Sequence, residues 1–155
     1  MTPSSSSRHE HDPFDLRRFV SAQAPVIEDV LDELRAGQKA SHWMWFVFPQ
    51  IHGLGASAMA QRYALASAQE ARAYHEHALL GARLKACTRL VLEIEGRTVS
   101  QIFGYPDDLK FHSCMTLFAQ VAPEEATYRT ALEKYFGGRP DPRTLESGQA
   151  STSPR

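Results

Sequence analysis

Cysteine is scarce in this chain. Cys87 and Cys114 are the only two and neither belongs to a CxxC pair, which argues against a disulfide scaffold and against a zinc site. A charge bias is missing too: 17 Lys plus Arg face 18 Asp plus Glu, a formal net charge of -1. That balance argues against a nucleic-acid partner and against an acidic polyanion mimic. No run approaches the ~20 apolar residues of a membrane span, and no N-terminal stretch reads as a signal peptide. The expectation is a soluble, cytoplasmic, reduced protein with no membrane partner. There is no GxGxxG, P-loop, HExxH, GxSxG or EF-hand loop, so no cofactor or metal is expected. Hairpin dipeptides, long alternating runs and internal repeats are absent as well.

What is present is helical. Residues 1–11 are Ser-rich and read as a disordered leader. Residues 12–137 carry the apolar pattern of one helical domain. Residues 138–155 turn to Gly, Pro, Ser and Arg, so a mostly disordered tail is expected, with Leu145 able to dock locally. Pro13, Pro25, Pro106 and Pro123 suit helix starts, and Gly37, Gly96, Gly104 and Gly137 suit helix ends. Apolar stripes at helical spacing run through 25–36, 78–95, 107–121 and 124–136. Segments 57–66 and 68–76 are Ala-rich, with Ser57 and Ser67 as caps. The fold class is all-α, about six or seven helices in one compact domain.

One segment departs from average composition. Four of the chain's aromatic residues, Trp43, Trp45, Phe46 and Phe48, fall within six positions and include both tryptophans. An unbroken apolar run reads equally as buried strand or buried helix. A lone strand would leave its backbone unpaired, so a short buried helix ending before Pro49 is expected.

Polar groups flank that block: Lys39, Ser41 and His42 before it, Gln50, His52 and Ser57 after it. Gly53 and Gly55 permit close backbone approach, and Ser57 opens the next helix. Aromatic faces beside a glycine turn and a helix start suit a nucleotide. The same pattern also suits a core segment followed by a capped turn. A second polar set lies in Gly104–Leu117, where Asp107, Asp108, Lys110, His112, Ser113 and Thr116 interrupt an apolar helix. Asp107 and Asp108 fit the dipole at a helix start, and a carboxylate there can also serve as base or cation stabiliser. The remaining groups carry less. Glu93 and Glu95 read as solvated, Cys87 as a core thiol, and Cys114 has no His base at fixed spacing. His75 and His77, two apart on a helix, point to different faces, and His9 and His11 lie in the leader.

The segments DPFDLRRFV, KASHWMWFVFPQIHGLGAS, EARAYHEHALLGARL, IFGYPDDLKFHSCMTLFAQVAP and YFGGRPDPRTL together resemble a small bacterial family of unknown function, DUF1810, over about residues 12–145. Members are sometimes labelled calpastatin. An inhibitor of that kind is a long, disordered, repeat-bearing chain, and this sequence has helical stripes and no repeat. The family is also distantly similar to the NADAR superfamily, which implies hydrolysis of N-glycosidic bonds in ADP-ribose adducts and related compounds. The Glu-His pair of that superfamily has no counterpart here, and no catalytic role passes to Glu70.

The resemblance leads to an N-glycosidase-like hydrolase acting on a nucleotide or ADP-ribose derivative. Asp107 would be the carboxylate, with Asp108 as its alternative. Lys110 and His42 would meet phosphate or leaving group, and Trp43 or Trp45 would stack. Gln50, Ser113 and Thr116 would orient the ligand, with Lys39, Gly53, Gly55 and Ser57 completing the wall. The alternative is a non-catalytic helical module that binds a nucleotide or a protein.

Overall fold

The computed structural model describes residues 12–152. The expected leader, with His9 and His11, lies outside the described residues. Asp12 opens the fold by accepting the backbone N–H groups of Leu16 and Arg17 on its two carboxylate oxygens. Ten helices follow among the described residues: α1 Arg17–Gln23, α2 Ile27–Arg35, α3 Met44–Val47, α4 Ala58–Arg62, α5 Ala68–Glu76, α6 Ala78–Glu93, α7 Val99–Phe103, α8 Asp107–Val121, α9 Ala126–Phe136 and α10 Pro142–Thr152. No strand occurs among the described residues, only an isolated parallel bridge between Ile51 and Leu65. The described chain is one all-helical domain, and none of its helices is long and apolar enough to cross a membrane.

The count exceeds the six or seven expected, and the reasons are local. The aromatic run forms the single buried turn α3 and stops at Phe48, before Pro49. The Ala-rich segment 57–66 is helical only over α4, because the chain then turns back. Leu65 donates to the Gln50 carbonyl, and His52 donates to the Leu65 carbonyl, both at 2.9 Å. Helix α7 starts at a capping box in which Thr98 and Gln101 bond each other's backbone N–H.

Helix α8 is the centre of the fold. Phe111, Cys114, Met115 and Phe118 are buried along it, and it packs against α5, α7, α9 and α10. Helix α6 packs against α1, α2, α5 and α9. Gly81 lets α6 approach the end of α5, since a Cβ there would lie 2.0 Å from the His75 carbonyl oxygen. A polar chain crosses the core beside these helices. Gln23 donates to the Phe46 carbonyl and the Tyr74 hydroxyl, and accepts from Arg83. Its partners satisfy a group that would otherwise be costly to bury.

Helix α10 lies inside the segment expected to be mostly disordered. Its anchor is Asp141, whose carboxylate accepts the hydroxyls of Ser113 and Thr144, while its N–H donates to Thr116 Oγ1. Thr144 is fully buried as a result. Composition marks this stretch as loose, and long-range polar contacts with α8 order it.

Candidate functional site

The aromatic block and the start of α8 converge. A cavity of about 290 Å³ is lined by Trp45, Gln50, Gly53 and Gly55 from the first polar segment and by Lys110 from the second. Met44, Phe48, Ile51, His52, Ala60, Gln61, Tyr63 and Ala64 complete the wall. Helix α3 sets this up. Its single turn sends Met44, Phe46 and Val47 into the core and leaves Trp45 partly exposed at the edge. Gly53 has φ +93°, which a side chain would strain, and a Cβ on Gly55 would meet Ala60 Cβ at 2.8 Å. The glycines therefore let the loop fold flat against α4.

Charge at the site is organised around Asp107. Its Oδ2 lies 2.9 Å from Lys39 Nζ and its Oδ1 lies 3.3 Å from Lys110 Nζ. Lys110 Nζ stands 4.8 Å above the Trp45 ring, and Lys39 Nζ stands 5.1 Å from the Trp43 ring. Lys39 also donates to the Ser41 carbonyl at 2.6 Å. One carboxylate thus joins two ammonium groups, each resting on a tryptophan.

Behind Lys39 is Glu33, a residue that reads in sequence only as part of the polar face of α2. Its Oε1 accepts from Ala40 N–H, Ser41 N–H and the Trp43 indole N–H, and its Oε2 accepts from Ser41 Oγ. Burial pushes the Glu33 carboxyl up, but the bonds from Ser41, Ala40 and Trp43 outweigh it and hold the group below the usual carboxylate range. A signal for Glu33 was available, since a buried indole needs an acceptor.

The other expected site residues go elsewhere. Trp43 is fully buried, and of the two tryptophans only Trp45 lines the cavity. Asp108 does not line the cavity and accepts from Ser100 Oγ and Leu109 N–H. Ser113 and Thr116 hold Asp141, as described above. Ser57 caps α4 through Ala60 N–H at 3.1 Å. His42 is exposed and does not line the cavity. His112 stacks on Phe136, with ring centroids 3.9 Å apart, and bonds the Arg139 carbonyl. The reason is common to most of them: a short polar side chain in a helical protein is usually committed to a cap or a helix–helix contact.

Several remaining chemical groups are structural. Glu70 is buried against Arg18 at 2.8 Å and accepts from Ala66 N–H. His77 caps α6, and His75 bonds Tyr128. Cys114 is fully buried and its thiol is pushed well up by burial, as is that of Cys87, to about 12. Among the described residues no group of three His, Cys, Asp or Glu side chains is placed to hold a metal ion.

The chain is similar to a protein of known structure, the conserved hypothetical protein Rv1873 from Mycobacterium tuberculosis. The two are 56% identical, with a TM-score of 0.86, over 87% of this chain and 96% of that one. No curated protein matches. Residues 13–147 match the family described as a protein of unknown function, DUF1810, and the chain belongs to that family.

Proposed function

We propose that the protein binds a small nucleotide-like ligand in the cavity between the aromatic block and α8. One observation carries this reading: Trp45, Gln50 and Lys110, from segments far apart in sequence, line a single concavity. An aromatic wall with a few convergent polar groups and one cation is the usual make-up of a small-molecule site. The aromatic ring offers a stacking face, the Gln50 and Gln61 amides offer hydrogen bonds, and Lys110 attracts an anionic group. Had the two segments fallen on opposite faces, the reading would have had no support.

A second reading is hydrolysis of the ligand's N-glycosidic bond, the activity implied by the distant NADAR resemblance. The position of Asp107 favours it, because a carboxylate next to the cavity can face a developing oxocarbenium charge. Binding comes first, however. Both Asp107 oxygens are engaged by lysines, and Asp107 does not itself line the cavity.

The test is a thermal-shift screen with ADP-ribose, NAD and AMP, followed by calorimetric titration of any compound that raises Tm. Chromatography of the incubated ligand then separates the two readings. Intact ligand after prolonged incubation means binding alone, and a released base that disappears in Asp107→Asn means hydrolysis. If none of the compounds raises Tm or gives binding heat, the nucleotide reading fails.

A further inference from the structure

We infer that Asp107 is a built-in counterion of Lys110 that competes with the ligand's anion, and that the ligand is a phosphate monoester of mononucleotide size. The inference rests on the binding reading above and adds the ligand's charge, its size and a residue that competes with it.

The two ion pairs of Asp107 differ. Its partner Lys39 is 8% exposed in the side chain, donates to the Ser41 carbonyl, and holds Asp107 at 2.9 Å. Lys110 is 22% exposed, lines the cavity, and reaches Asp107 at 3.3 Å. Asp107 is therefore anchored on Lys39, and its contact with Lys110 is the longer, wetter one. Of the two contacts it is the one that another anion, entering from the cavity beside Lys110, can replace.

The placement of charge gives the same direction. Lys39 and Lys110 stand beside the carboxylates of Asp107 and Glu33, and Lys110 is the cation that lines the cavity. No carboxylate lines the cavity itself. An incoming phosphate would take Lys110 and leave Asp107 paired with Lys39, so that every charge keeps a partner.

Size narrows the ligand further. A volume of about 290 Å³ is at the low end of the ~300–1,000 Å³ typical of ligand sites. It suits one base, one sugar and one phosphate. The partly exposed Trp45 face suits the base.

The experiment titrates AMP, adenosine and inorganic phosphate into the full chain, as wild type, Asp107→Asn and Lys110→Met. AMP is expected to bind the wild type and to bind Asp107→Asn roughly threefold to tenfold more tightly. Lys110→Met should lose at least about tenfold, and adenosine should be indifferent to Asp107→Asn. If AMP binds the wild type but Asp107→Asn binds it equally or more weakly, the counterion assignment is overturned while the binding reading stands. If no probe binds any form, both fall. If inorganic phosphate binds as tightly as AMP, the mononucleotide assignment is overturned. Should Asp107→Asn not fold, the wild type still decides: AMP must shift the Asp107 carboxyl carbon resonance, and an unmoved resonance refutes the displacement.

Discussion

Lys110 holds its ammonium group 4.8 Å above the ring of Trp45. The contact joins the first turn of α8 to the aromatic block, and it makes one wall out of two segments that the chain keeps far apart. Trp43, two positions earlier, is turned the other way. Its indole N–H donates to Glu33 at 2.8 Å, and its ring is fully buried.

The two tryptophans should therefore respond oppositely to truncation. Trp43→Ala removes a buried aromatic and one of the four hydrogen bonds to Glu33, at a cost of about 3–5 kcal/mol in urea unfolding. Trp45→Ala should cost about 1 kcal/mol or less, yet abolish any ligand-induced rise in Tm. Equal destabilisation by both would contradict the placement of Trp45 at the cavity edge.

Glu33 ties the start of the aromatic block to α2, so Glu33→Ala should cost about 2 kcal/mol at pH 7. Its folded pKa lies below its unfolded value, so its contribution is present above about pH 4.3 and is lost as pH falls through the folded value. The stability gap between wild type and Glu33→Ala should accordingly shrink in acid. A gap that is constant down to pH 3, measured by urea titration at each pH, would exclude the proposed role.

The periodic stripes of α2, α6, α8 and α9 were legible in the sequence because each buries one face of a long helix. The aromatic block was legible as a short buried helix because a lone strand had no partner. The site was only half legible. Trp45, Gln50, Gly53, Gly55 and Lys110 line the cavity, whereas Ser57, Ser113 and Thr116 serve as a cap or as helix contacts. Spacing along a helix places a hydroxyl on a face, but cannot tell that Asp141 will come to meet it. Helix α10 escaped for the same reason, since its order comes from Ser113, Thr116 and Thr144 around one carboxylate.

That carboxylate gives a third prediction. Asp141→Ala should release α10 at a cost of about 1–2 kcal/mol. The effect should reach the cavity, because Arg143 in α10 donates to the Leu54 carbonyl at 3.1 Å. Hydrogen exchange should rise at 142–147 and also at 53–55. Exchange that rises in α10 alone would show the loop to be independent of it.

Both thiols should be inert in the folded protein. Burial disfavours the thiolate of Cys87 and of Cys114, so neither should react with a disulfide reagent at pH 8 until the chain is unfolded. Rapid labelling of Cys114 in the native state would reopen it as a nucleophile.

The most direct test of the central claim is a two-dimensional ¹H–¹⁵N spectrum of the two indole N–H groups during titration with AMP. The resonance of Trp45 should shift in a saturable way, that of Trp43 should stay in place, and Lys110→Met should remove the shift. A shift confined to residues outside the cavity, or one that survives Lys110→Met at the same affinity, would contradict the account.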